Sequence, residues 1–234
     1  MAAGRATTLW NRGRTQSILA LDAVTDRAAI RDHSILPLAV LEAMRHLDSP
    51  RDEAAAEYVD ELLKKRLGLS RTVAAQIARY ELTVRRDEAV DPGELEQILR
   101  LVSRRPDASL VFADGGRRAA RRAVDRLSAS TRWATAHLPR FVRRAIGFRA
   151  ARRCAGDVFG ARLARKGPAA VLTVSSAAAV RATPDGAACA FYAAAFAELL
   201  RQLVDFDGGM LHASCRARGD ARCEWHSTPA GGSR

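Results

Sequence analysis

Long hydrophobic runs are missing from this sequence of 234 residues. The longest apolar stretch, Ala187 to Ala197, ends at Glu198 and falls well short of the roughly 20 residues that a bilayer-spanning helix requires. Near the arginine-bearing amino terminus, the brief apolar patch Ser17–Leu21 is cut off at Asp22, so neither a membrane span nor a secretory signal is expected. Lysine is scarce too, with Lys64, Lys65 and Lys166 the only lysines among 38 basic residues. Neither a G-x-G-x-x-G nor a P-loop is present, which removes the common means of holding a nicotinamide, a flavin or a nucleoside triphosphate. Cysteines number only four. In the reducing, cytoplasmic setting that follows from the missing signal, closely spaced thiols favour metal or redox chemistry over a structural disulfide.

What is there suits an ordinary buried core. Hydrophobic residues make up 48% of the chain, enough for one large domain or two small ones. The formal net charge is +12, and its location is uneven. Between Ala113 and Lys166 stand fifteen arginines and lysines against only Asp114, Asp125 and Asp157, which accounts for the whole excess. A nucleic acid, an anionic lipid surface or an acidic protein would each explain such a stretch. So would the Arg- and Ala-rich composition of a GC-rich genome, leaving no more than a solvated basic face.

Helix punctuation is legible along the first hundred residues. Ile35 to Leu47 is apolar with helical period. Ser49-Pro50 starts a second helix, to about Leu67 before Gly68; Ser70 caps a third, to about Arg86. Asp91-Pro92-Gly93-Glu94 has the form of a capping box and opens a helix to about Ser103. A helix from Ala108 to Ser128 carries Arg117, Arg118, Arg121, Arg122 and Arg126 on one face, the candidate surface for an anionic partner, with Ala120, Ala123, Val124 and Leu127 on the other. Pro139 opens a basic helix to about Cys154, and Ala169–Ser175 is β-prone. An apolar helix over Ala187–Val204 precedes a hairpin centred on Gly219-Asp220.

Cys189, His212, Cys215 and Cys223 form the pattern C-x22-H-x2-C-x7-C. Three thiolates and one imidazole make a complete tetrahedral set for zinc, although a Cys215–Cys223 disulfide or plain buried thiols would also fit the spacing. Pairing symmetric about Gly219 sets Cys215 opposite Cys223, with Cβ atoms about 5 Å apart. His212 stands three residues before Cys215, so strict alternation would send it to the other face; a bend or bulge is required. Cys189 lies in the first turn of its helix, where the dipole favours a thiolate.

This Cys/His pattern, with Arg218-Gly219-Asp220 between the last two cysteines and the apolar FYAAAFAELLRQLV helix before it, resembles the 4-vinyl reductase domain family. In regulators of that family the corresponding positions are Cys, Glu, Cys and Cys and hold zinc; here His212 stands in place of the glutamate. The similarity is greatest to the branch named for bacteriochlorophyll 4-vinyl reductase, over His137–Trp225, and more loosely back to about Asp32. It implies an α+β fold of amino-terminal helices followed by a helix and antiparallel-sheet domain, shared with haem-based nitric-oxide sensors and vesicle-tethering subunits. On that plan residues 1–15 and 229–234 are loose tails, 16–107 a helical region packed on or extending the main domain, and 108–228 the domain itself.

The resemblance further implies a structural zinc, a hydrophobic small-molecule ligand of the tetrapyrrole or bacteriochlorophyll-precursor kind, and a homodimer. The role is then sensory, carrier or assembly. A carboxylated pigment would serve as an anionic partner for the basic helices. Where family members carry pocket-forming aromatics and glycines, this chain has Arg153-Cys154-Ala155-Gly156-Asp157-Val158-Phe159. Trp133, Phe141, Phe159, Phe191, Tyr192 and Phe196, with Cys154, are the candidates for lining a ligand cavity, or equally for plain core.

Two other classes compete with this binding module. A true 4-vinyl reductase would require a redox cofactor, and no paired carboxylate or Ser-His-Asp set is evident in the sequence. A DNA-binding regulator is suggested by Asp60–Arg79, which resembles a helix-turn-helix offering Arg71, Gln76 and Arg79 to bases. An ordinary helical hairpin satisfies the same pattern.

Overall fold

A computed structural model describes residues 32–49, 67–175 and 177–229. Its first helix, α1 (Ile35–Asp48), is apolar nearly all round, and Ile35, Leu38, Ala39, Val40, Ala43 and Met44 are fully buried. Such a helix must be enclosed by other elements. It is packed against α2 (Arg71–Arg85), α3 (Pro92–Ser103) and α4 (Ala108–Asp125), with a 3-10 turn at Leu67–Leu69 leading into α2. A short antiparallel pair, β1 (Asp32–His33) with β2 (Ala89–Val90), flanks this group.

The chain continues through α5 (Ala129–His137), α6 (Arg140–Phe159), β3 (Arg162–Lys166), β4 (Ala169–Val174), α7 (Ala178–Ala182), α8 (Cys189–Val204), β5 (Gly208–Ser214) and β6 (Cys223–Pro229). The described residues therefore hold eight α-helices and a four-stranded antiparallel sheet of order β3-β4-β6-β5, the α+β class expected. No helix among them is long and apolar enough to cross a membrane.

α4 is the central layer, with α1 against one side and α8 against another. Gly116 makes the second contact feasible: a methyl group there would lie 2.2 Å from the carbonyl oxygen of Phe191 on α8. Helix backbones approach this closely only where no Cβ intervenes. α8 in turn packs on α6 and β5, which seats it over the sheet. Across that sheet Leu163, Leu172, Trp225 and His212 occupy one row of paired positions, and the first three are fully buried or nearly so.

A buried ionic network ties α1 to what surrounds it. Asp48 accepts hydrogen bonds from the Gly68 N–H at 2.8 Å and from Arg105 at 2.7 and 2.8 Å. Arg105 also grips Asp107, and these two carboxylates raise its already high pKa, that of Asp107 foremost.

Several expectations are met and others corrected. Ser70 caps α2 by accepting the Val73 N–H, as its position suggested. The helix expected over Ser49–Leu67 falls on residues 50–66, outside the described residues, as does the tail expected at 1–15. Asp91 caps α3 through the Gly93 N–H, but Glu94 does not complete a capping box. It instead accepts from Arg79 and from the Tyr80 hydroxyl, both at 2.5 Å, bridging α3 to α2. α4 ends at Asp125, and Ser128 begins the separate helix α5 by accepting the Thr131 N–H. α6 runs to Phe159, five residues past the expected end at Cys154. β6 extends to Pro229, paired with Gly208.

Candidate metal centre

The four Cys/His residues arrive at one point from two elements. Cys189 is the first residue of α8, Cys215 directly follows β5, and Cys223 opens β6. Ser214 pairs with Glu224, so the next positions inward, Cys215 and Cys223, face each other where the hairpin turn begins. The register shifts between His212 and Ser214, making Ala213 the bulge that the spacing demands. That bulge returns the His212 ring to the face bearing the cysteines. One ligand atom from each of the four residues lies within 4.8 Å of every other, and the Cys189 and Cys215 sulfurs are 4.0 Å apart. Four ligands at zinc-like bond lengths of about 2.3 Å to sulfur would have sulfurs a little under 4 Å apart, so the group is spaced to hold a metal ion.

Each ligand is held before any ion binds. The His212 ring stacks on Trp225 with centroids 4.7 Å apart and planes 7° from parallel. Trp225 is itself locked in the core against Tyr192 and Phe196. The turn is closed by Asp220, whose carboxylate accepts the Cys215 N–H at 2.6 Å, while Gly219 takes the left-handed φ of 94°. Over the sulfurs passes the Thr183–Ala188 loop. Gly186, at φ 75°, leaves room there, since a Cβ would sit 3.1 Å from the Cys215 sulfur. Asp220 was expected only as the centre of the hairpin; Gly186 and the packing role of Trp225 were not singled out from the sequence, although Pro184-Asp185-Gly186 is a turn signal that could have found the first.

The electrostatics are those of a ligand cluster. The Cys223 thiol is pulled below its ordinary value, chiefly by a hydrogen bond from Cys189 and further by the Arg216 backbone N–H. Cys189 moves the other way, because it donates to Cys223 and is buried. The Nε2 atom of His212 is buried and has no hydrogen-bond partner among the described residues. A buried imidazole nitrogen without a partner is costly, and a metal ion held with the three thiolates would satisfy it.

The arginines of α4 are placed differently. Arg117 and Arg118 pair with Asp114, Arg121 with Glu198 on α8, Arg122 with Glu42 on α1, and Arg126 with Asp87 before β2. All five are at least partly exposed, opposite the buried Ala119, Ala120 and Ala123, and each is matched to a carboxylate from within the chain. Glu198 also accepts from Arg201 and Gln202, and its carboxyl is held down to about 2, with Arg201 the largest cause. In the helix-turn-helix candidate, Arg71 and Gln76 are exposed on α2 and Arg79 is paired with Glu94. The first helix of that motif lies outside the described residues.

The aromatic set also divides. Phe159, Phe191, Tyr192 and Phe196 are buried in a cluster of edge-on and tilted rings around Trp225. Trp133 and Phe141 are 58% and 76% exposed on α5 and α6. A half-open cavity of about 990 Å³ lies elsewhere, between the end of α4, the start of α5, the middle of α6 and the β1–β2 pair. Of the residues nominated for a pocket, only Cys154 lines it. Its thiol donates to the Ala123 carbonyl, and burial pushes its pKa up to about 11, which leaves it an inert wall residue. His33, Arg126, Arg149 and Asp157 also line the cavity and were not singled out as pocket residues, because they come from segments far apart in the chain.

Compared with protein-family models, curated proteins and solved structures, the chain matches none.

Proposed function

We propose that this chain is a zinc-stapled binding module of the 4-vinyl reductase-like kind, without catalysis of its own, which takes up a hydrophobic small molecule in a sensory, carrier or assembly role. A tetrapyrrole such as a bacteriochlorophyll precursor is the ligand class that the sequence resemblance suggests. Kinship with haem-based nitric-oxide sensors and vesicle-tethering subunits, a homodimeric assembly and a cytoplasmic location belong to the same reading.

The observation that carries it is the buried, partnerless Nε2 of His212 beside three thiols on two separate elements. Soft thiolate and imidazole ligands in tetrahedral spacing favour zinc among the common cellular ions. Because four protein ligands fill that set, no position is left for a catalytic water, and the metal acts as a clamp between α8 and the hairpin. Ligand uptake is supported by the cavity on α6, whose volume lies at the upper end of the roughly 300–1,000 Å³ usual for small-molecule sites.

Elemental analysis of the purified chain beside Cys215→Ser tests the clamp. One zinc per chain, lost in the variant, is expected; a folded chain that never carries metal overturns it. Turnover of a divinyl pigment with an added redox cofactor would overturn the non-catalytic role.

A further inference from the structure

We propose that the cavity between α4, α5 and α6 binds an amphipathic molecule carrying a single negative charge, with Arg149 holding the charged end and Leu127, Ile146, Ala150 and Val158 lining its apolar body. The proposal rests on the small-molecule reading above and narrows the ligand to one chemical class.

The charge balance of the walls sets that class. Three arginines face the cavity, and two of them are already answered from within the chain. Arg126 pairs with Asp87 at 2.6 Å and Arg153 with Asp157 at 3.3 Å. Arg149, on the same helix as Arg153, makes no ion pair with any described residue. His33 adds no second charge. Its Nδ1 accepts the Ile35 N–H at 3.1 Å, and burial together with nearby Arg126 lowers its pKa, so the ring is neutral near pH 7. One guanidinium is thus left uncompensated beside an apolar wall.

A dianion would fit poorly, since Asp87 and Asp157 line the same space and repel a second negative charge. An uncharged ligand would leave Arg149 unused. The start of α5 also opens into the cavity at Ser128 and Thr131, and the positive end of that helix adds to the attraction for an anion. At about 990 Å³ the space exceeds what a lone inorganic ion needs, which is why the ligand requires an apolar body.

Two fluorescent probes separate the charged end from the body: cis-parinaric acid and its methyl ester, titrated into the full chain. The acid is expected to bind about tenfold more tightly than the ester, the factor typical of a hydrogen-bonded charge. Arg149→Gln should abolish that preference, Arg149→Lys should restore part of it, and Ile146→Trp, which fills the cavity, should weaken both probes. An acid preference that survives Arg149→Gln overturns the proposal. Equal binding of acid and ester, both displaced by Ile146→Trp, overturns the anion selectivity while leaving the small-molecule reading intact. Failure of both probes to bind overturns the two together.

Discussion

At the junction of α8 and the hairpin, every residue singled out by its spacing turns toward one centre. The arginines of α4, singled out by their charge, are matched instead to separate acids on α1, on α8, before β2 and on α4 itself. The difference lies in how far each interaction reaches. A metal-ligating set is assembled by short backbone geometry, namely a helix start, a turn and one bulge, and each of these leaves a mark in the sequence. A guanidinium sits on a long flexible stem and pairs with whichever carboxylate the packing supplies. Those carboxylates come from residues as distant as Glu42 and Glu198. A run of arginines therefore says little about a free surface until the fold is known.

This contrast can be broken or sharpened by substitution, and the largest effect belongs to the clamp. Cys223→Ser should release the metal and lower the melting temperature by about 10 °C or more, as chelation of the wild type should. Calorimetry with and without added zinc checks this, with metal rescuing only the wild type. Next comes the buried ion network of the helical layer. Asp48→Ala strands the buried Gly68 N–H and leaves Arg105 with Asp107 as its one remaining carboxylate partner among the described residues, and a loss of about 2–3 kcal/mol is expected in urea unfolding.

Glu198 gives a smaller and pH-dependent effect. Its folded pKa of about 2 lies below its ordinary value of 4.5, so its contribution is full above pH 4.5 and is lost as the pH falls toward 2. Glu198→Gln should cost about 1–2 kcal/mol at neutral pH, after discounting the exposed arginines that face it. The gap between wild type and variant should close over that acid range in urea titrations. Smallest is Arg117→Ala, which removes an exposed contact of 3.7 Å to Asp114 and should change stability by less than about 0.5 kcal/mol. A large loss there would mean that the charged region is as specifically built as the clamp.

Most of the helices were legible because their punctuation is local. Ser70 and Asp91 cap the helices they were expected to cap. Glu94 was misread for a physical reason. The capping-box signature counts residues along one helix, but the side chain found better partners across the gap in Arg79 and Tyr80. β3 went unnoticed because Arg162-Leu-Ala-Arg-Lys166 has a single large apolar residue, Leu163, and gains its strand form by pairing with β4. The aromatics could not be sorted from their spacing, since Phe196 and Phe141 look alike until one is covered by Trp225 and the other left to solvent.

By itself the sequence determined which four residues make up the Cys/His group, the need for a bulge before Cys215, the α+β class and most helix starts. All of these depend on interactions within a few residues or on alternation along a strand. Only the tertiary structure decided that His212 lies flat against Trp225 with its Nε2 buried, that the α4 arginines are matched by distant acids, and that Arg149 lines a cavity of mixed charged and apolar walls without an ion pair to any described residue. Those outcomes depend on which segments meet, and that is fixed when α1 and α8 close on the glycine-thinned middle of α4.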